Sequence, residues 1–416
     1  MEKALPQDWK IFSLDDLFEF ANGVNADKSA YGKGAPFANV FEVINNEWLT
    51  EKLIPGRIQL SPALVNRYQV RRGDVLFNRT SETQQEVGLA SVYLGDSSIT
   101  FGGFVFRAQP KTKELDEDYS KYAFRARSVR DQIEPLGQGA IRANVSQRDL
   151  KAVRIALPPL DEQRNISAAL GDVDELIALL NRLLIKRQAV KQGLMRHLLT
   201  GRTRLARFNA PWRTVHLGDH VTYVKPVALS RAQLDTSSPL RYLHYGDIHT
   251  ATDVRLDAAN VMMPRAESAL AGSAGRLQIG DLVFADASED PGGVGKSIEI
   301  TSVPAEGIIP GLHTIAARFD KAVLADDFKA HLQFIPHFRQ SLLRLAAGTK
   351  VLATTRSNIS SIAMLLPPIE EQQAIAKSLL DADQEINTLR DRITKAKAIK
   401  QGMMQELLTG RTRLTA

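Results

Sequence analysis

The chain contains no cysteine. Disulfides and thiolate zinc sites are therefore excluded, and the absence fits a reducing, cytoplasmic setting. No run of about 18 apolar residues occurs, so a membrane-spanning helix is not expected. The opening MEKALPQDWK alternates acidic and basic residues without an apolar segment, which argues against a signal peptide. Aromatic residues are scarce, at 6%. With 44% hydrophobic and 24% charged residues, the composition is that of a globular protein rather than a disordered one. Its 416 residues are too many for one ordinary core and suit two to four domains.

Acidic residues are missing from one long stretch. Between Leu176 and Gly218 there is no Asp or Glu, while nine cations occur: Arg182, Lys186, Arg187, Lys191, Arg196, Arg202, Arg204, Arg207 and Arg213. The net charge of the chain is +6, so the remainder is slightly acidic. A polyanion could lie along such a stretch, and so could a solvated helix face or a docking surface.

A repeat dominates what is present. At a constant offset of 209, the segment from LPPLDEQ through KQGLMRHLLTGRTRL aligns without gaps to that from LPPIEEQ through KQGMMQELLTGRTRL. About half the positions are identical, which marks a duplication. Each copy reads as one long helix. Pro158-Pro159 and Pro367-Pro368 end what precedes, and Asp161-Glu162 and Glu370-Glu371 place carboxylates at the positive helix start. Gly201 and Gly410 stand where a terminating residue with positive φ is wanted. Apolar residues step by fours and threes through Ile166, Leu170, Val173, Ile177, Leu180 and Leu184. The second seam runs through Ile375, Leu379, Ala382, Ile386, Leu389 and Ile393. That spacing is coiled-coil-like, and two such helices would most simply bury their seams against each other. Forty residues at 1.5 Å rise span roughly 60 Å, enough for a spacer. Gly193 and Gly402 interrupt the pattern and suggest close approach by another backbone, or a kink.

Fainter repeats flank the helices. Trp9-Lys10 matches Trp212-Arg213, and RRGDVLFNRTSETQQEVGLAS matches QIGDLVFADASEDPGGVGKSI. Gly139 before NVSQRDL matches Gly348 before TTRSNI. These segments are short Val/Ile/Phe runs broken by Gly, Pro, Asn and Asp, as in strands joined by loops. The order is globular unit, helix, globular unit, helix.

Catalytic signatures fail on inspection. EDPGGVGKS lacks the first glycine of a phosphate-binding loop, because Asp290 occupies that place. LPPL and LPPI superficially match the tetrapeptide of amino-methyltransferases but carry Leu where an amide or carboxylate is needed, and Leu or Ile where an aromatic is needed. HLGDH spaces two His four apart without the Glu that zinc hydrolysis requires. No catalytic residue, metal site or cofactor site is expected in this chain.

The duplicated LPPxxEQ and KQGxMxxLLTGRTRL motifs, alternating with units that carry Gly-Asp-Val/Leu, resemble the DNA-specificity subunit of type I restriction–modification enzymes. The resemblance covers essentially the whole chain and is most specific in the helices. It implies an α+β fold with two mixed α/β target-recognition domains separated by two long antiparallel coiled-coil-like helices, in an internal pseudo-twofold duplication. The boundaries would be 1–157, 158–206, 207–366 and 367–416. The resemblance also implies a split double-stranded DNA target and two methyltransferase subunits that bring S-adenosylmethionine. Restriction/motor subunits using ATP and Mg2+ would complete the assembly. Two other readings stay open: a similar subunit serving a fused nuclease–methyltransferase, and a coiled-coil adaptor without a DNA role.

Residues expected at the DNA are polar, guanidinium or amide side chains on loops at matched positions, since Arg pairs with guanine and Asn or Gln with adenine. In the first unit these are Asn78, Arg79, Thr80, Ser81, Gln84, Gln85, Arg142, Asn144 and Ser146. In the second they are Asp286, Ser288, Lys350, Thr354, Thr355 and Arg356. Lys28, Tyr31, Lys33, His249 and Thr250 are further candidates.

Overall fold

The computed structural model describes residues 5–139, 142–272, 274–346, 348 and 351–415. The chain divides into two compact units: one of Met1–Asn181 with Asp391–Ala416, the other of Arg182–Arg390. No helix among the described residues is long and apolar enough to cross a membrane.

Both long helices form as their periodicity predicts, over Leu160–Leu198 and Ile369–Leu407. Each unit takes one half of each helix. In the first unit Ile166 and Leu170 share a core with Leu407 and Leu408. In the second, Leu198 and Leu199 share one with Ile375, Ala376 and Leu379. The pairing is antiparallel within each unit. Asp174 meets Lys400 at 2.7 Å in the first, and Lys191 meets Asp383 in the second. These are the same ion pair, since both of its members recur at the 209 offset. Every residue of the expected seams is buried or half-buried.

The repeated motifs lock the helix ends crosswise. Glu162 and Glu371, at the helix starts, are almost fully buried. Arg413, beyond the end of the second helix, grips Glu162 through Nε and a terminal nitrogen, both at 2.7 Å. Arg204, beyond the end of the first, grips Glu371 at 2.9 and 2.6 Å. The indole N–H of Trp9 donates to Glu162 and that of Trp212 to Glu371, each at 3.2 Å. Such two-pronged, charge-assisted pairs fix geometry as well as energy. The adjacent glutamines complete the joint. The Gln163 amide donates to the carbonyls of Pro158 and Glu114, and that of Gln372 to those of Pro367 and Val323. Gly201 and Gly410 end the helices at φ 69° and 67°, the left-handed cap that their sequence position predicts. A Cβ there would press on Trp212 or on Pro6 and Trp9.

Gly193 and Gly402 correct an expectation. The helix runs on through both, and a Cβ at either would meet no described atom within 4 Å. No other described backbone of the chain approaches them. The acid-free stretch is also less cationic than its sequence implies. Arg187, Lys191 and Arg204 pair with Glu385, Asp383 and Glu371 of the second helix.

The globular parts share one topology. In the first unit a five-stranded sheet runs Phe18–Asn22, Val105–Pro110, Val75–Asn78, Ala90–Tyr93, Trp48–Leu49. In the second the order is Val221–Val224, Thr314–Phe319, Leu282–Ala285, Ser297–Ser302, Arg255–Asp257. The first three pairings are antiparallel and the last parallel in both. A smaller sheet has four strands in the first unit and three in the second. The matched Gly-Asp pairs begin the central strands. The Asp74 carboxylate accepts from the Arg71 N–H and that of Asp281 from the Gln278 N–H, closing the turn that feeds each strand. Burial pushes Asp74 up to about 6, whereas Asp281 holds the Arg318 guanidinium at 2.8 and 2.7 Å. The structure is α+β with two long antiparallel helices, as the resemblance implied.

Candidate nucleic-acid interface

Where the central strand of each sheet ends, the chain enters a two-stranded ribbon. Thr80–Ser81 pairs with Ala143–Asn144, and Ala287–Ser288 with Leu352–Ala353. One residue lies between strand and ribbon: Arg79 in the first unit, Asp286 in the second. Their backbones make the same two bonds. The Arg79 N–H donates to the Phe104 carbonyl, and its own carbonyl accepts from the Val145 N–H. The Asp286 N–H donates to the His313 carbonyl, and its carbonyl accepts from the Thr354 N–H. Both partners recur at the 209 offset, so this is one structural node occupied twice.

The glycines that precede the ribbon's second strand show why no other residue serves. Gly139 and Gly348 have φ of 134° and 127°, and a Cβ at either would fall about 2 Å from the carbonyl oxygen of Arg142 or Val351. Past the ribbon, Ser146 and Thr355 cap short helices by accepting from the N–H of Asp149 and Asn358.

At the first node the Arg79 guanidinium is exposed and lies over the Phe106 ring, 5.5 Å from its centre. It lines a cleft of about 540 Å³ with Asn22, Gln138, Asn144, Ser146 and Gln147. Asn144 is exposed and accepts from the Thr80 hydroxyl at 2.6 Å. Arg142 is exposed, 3.7 Å from Glu82, and faces a neighbouring cleft of about 1070 Å³ shared with Tyr31, Phe41, Thr80, Ser81 and Phe104. Gln84 and Gln85 are exposed on the following turn. The side chains of Asn78, Thr80 and Ser81 are buried and engaged internally: Asn78 donates to the Glu86 carbonyl, and Ser81 to the Glu86 carboxylate. Lys28 and Lys33 stand exposed beside Tyr31, away from the ribbon's hydrogen bonds.

The second unit is built differently at the same places. Asp286 pairs with His313, Oδ1 to Nδ1 at 3.1 Å. Ser288 and Thr354 are buried; Thr355 and Arg356 are exposed, with Arg356 over the Tyr223 ring at 5.5 Å. His249 bonds the Ala287 carbonyl through Nε2 at 2.9 Å. Thr250 lines a separate cleft of about 790 Å³ with Arg231, Arg241, His244 and Arg265. Lys350 lies outside the described residues.

Sequence reasoning missed two kinds of residue. Asn22 joins the first cleft from a strand far away in the chain, its Oδ1 accepting from Gln147, and no local signal marks it. Arg130 and Arg339, also 209 apart, hold the turns after the ribbons, and that offset could have found them. Arg130 donates to the carbonyls of Gln85 and Val87, and Arg339 to those of Pro291 and Gly292. Burial lowers Arg130 from the ordinary arginine range. In the glycine-rich turn, carbonyls thus face a cation, and Lys296 is bound to the carbonyls of His249 and Ala251. That is a polar turn rather than a phosphate cradle. Among the described residues no group of three His, Cys, Asp or Glu could hold a metal ion.

Residues 6–186 match the family model described as the type I restriction modification DNA specificity domain. Proteins named as the MjaX and MjaVIII type I restriction enzyme specificity subunits of Methanocaldococcus jannaschii, the first of them as putative, are 24% and 22% identical. Each alignment covers 99% of this chain, and 95% and 94% of those proteins. Among solved structures, the HsdS subunit from Thermoanaerobacter tengcongensis has the same fold, with a TM-score of 0.55, 16% identity and 99% of both chains covered. A chain from a structure of complex assembly and conformational transition of the type I R-M system matches with a TM-score of 0.62 and 16% identity, covering 99% of this chain and 100% of that one. Along its length the chain is similar to proteins named as type I restriction enzyme specificity subunits, and residues 6–186 match the DNA specificity domain of such systems.

Proposed function

We propose that this subunit reads a two-part DNA target, one half with residues 1–157 and the other with residues 207–366, while the two long helices set the unspecified spacer between them. One observation carries the reading. The two units repeat a sheet order and a ribbon node bond for bond, yet the node side chains differ, Arg79 against Asp286. A duplicated frame with diverged tips suits two readers of different sequences. Exposed Arg79, Gln84, Gln85, Arg142 and Asn144 would meet DNA in the first half, and Thr355 and Arg356 in the second. Asn78, Thr80, Ser81 and Ser288 position the ribbon from within. Phosphate contacts from cations such as Lys28 and Lys33 would supply affinity, and base contacts the choice of sequence.

The chain itself performs no chemistry in this reading. It works in the cytoplasm as a scaffold for two methyltransferase subunits, which bring S-adenosylmethionine, and for restriction/motor subunits, which use ATP and Mg2+. The test is Arg79→Ala in cells carrying the intact system. Sequencing of methylated sites should show one half of the target relaxed and the other intact. Loss of both halves together, or an unchanged target, would refute it.

A further inference from the structure

The second node carries a side chain that no polar residue at the matched position announces. His313 stands where the first unit has Phe104, and its backbone sits at φ 58°. Among the described residues it is one of two non-glycine residues in the left-handed region, whereas Phe104 has ordinary φ. Such conformations are costly and gather where a side chain must be aimed. The imidazole is half exposed and packs edgewise against the Tyr245 ring, with centres 5.4 Å apart.

Its chemistry follows from its partner. A carboxylate only accepts, so the 3.1 Å contact with Asp286 places the imidazole proton on Nδ1. In the neutral ring Nε2 is then an acceptor, and it makes no hydrogen bond among the described residues. An aspartate alone on a DNA-facing loop would be repelled by phosphate. Held to the inner nitrogen of a histidine, it instead orients an acceptor.

We propose that His313, aimed by Asp286, is a specificity-determining residue of the second half-site and accepts a hydrogen bond from an exocyclic amino group, cytosine N4 or adenine N6, in the major groove. At the matched node Arg79 is a donor suited to guanine, so the two readers demand opposite chemistry. The proposal rests on the two-reader function given above. Asp286 is a positioning residue: it acts through the histidine.

The experiment maps methylated sites in cells carrying the intact system with His313→Gly, His313→Lys or Asp286→Asn. Glycine suits the left-handed backbone, so His313→Gly removes the imidazole without threatening the fold. It should relax one position, raising methylation of sites with other base pairs there about tenfold. That position should lie in the half that Arg79→Ala leaves intact. His313→Lys replaces an acceptor by a donor, and should exchange the amino base at that position for a keto base on the same strand. Asp286→Asn frees the tautomer and should weaken the preference at that position alone. A two-part target that His313→Gly leaves unmoved, a change in the Arg79 half, or retention of the same base by His313→Lys overturns the proposal. Absence of any two-part target in the wild type overturns the two-reader function and this proposal with it.

Discussion

If the helices set the spacer, lengthening both should lengthen it without touching either half-site. The place to do so is given by the division of the chain, which falls after Asn181 in one helix and after Arg390 in the other. Four residues inserted at both points leave the pairs within each unit, Asp174–Lys400 and Lys191–Asp383, with their partners. At 1.5 Å and 100° per residue the insertion adds about 6 Å and a residual rotation of about 40°. B-DNA rises about 3.4 Å per base pair, so 6 Å corresponds to at most two base pairs. The methylated sites of cells carrying the variant should show the same two half-sequences separated by one or two more base pairs. Seven inserted residues, about 10.5 Å and close to two full turns, should add up to three. An unchanged spacer, or altered half-sequences, would refute the ruler.

Three predictions concern stability. Leu170→Ala and Leu379→Ala empty fully buried positions at matched places in the two cores, and each should cost about 3–5 kcal/mol in urea unfolding; a loss below about 1 kcal/mol in either would deny the helix its place in that core. Thr354→Val should stabilise the protein by about 1 kcal/mol, because the Thr354 hydroxyl is buried without a partner where the first unit carries Val145; destabilisation would contradict this. Burial, opposed by nearby Lys329, pushes Glu299 up to about 7. Its native carboxyl then holds a proton that the unfolded chain releases near 4.5, so its stability contribution is present below about pH 4.5 and is lost as pH rises through 7. The loss is about 3 kcal/mol, and Glu299→Gln should remove that slope from the pH dependence of unfolding; equal slopes would refute it.

The helices were legible because their information is local: a step of three and four, prolines before, a glycine after. The seams from Ile166 and Ile375 follow that rule residue by residue. The crosswise grip of Arg413 on Glu162 and of Arg204 on Glu371 was not legible, although all four lie in the repeat. A repeat shows that residues matter twice without showing what they touch. Sheet order was equally hidden, since Phe18–Asn22 pairs with Val105–Pro110 across more than eighty residues. At the candidate site the criterion of matched polar loop residues found Arg79 and Asp286 but also Asn78 and Ser81, whose burial is a tertiary fact. It passed over His313 because Phe104, its counterpart, is apolar.

The central claim is that one chain reads two half-sequences at a fixed separation. Mapping methylated sites in cells that carry the intact wild-type system tests it most directly. The account predicts a target of two short defined sequences separated by an unspecified spacer of constant length. A single contiguous target, or methylation without sequence preference, would contradict it.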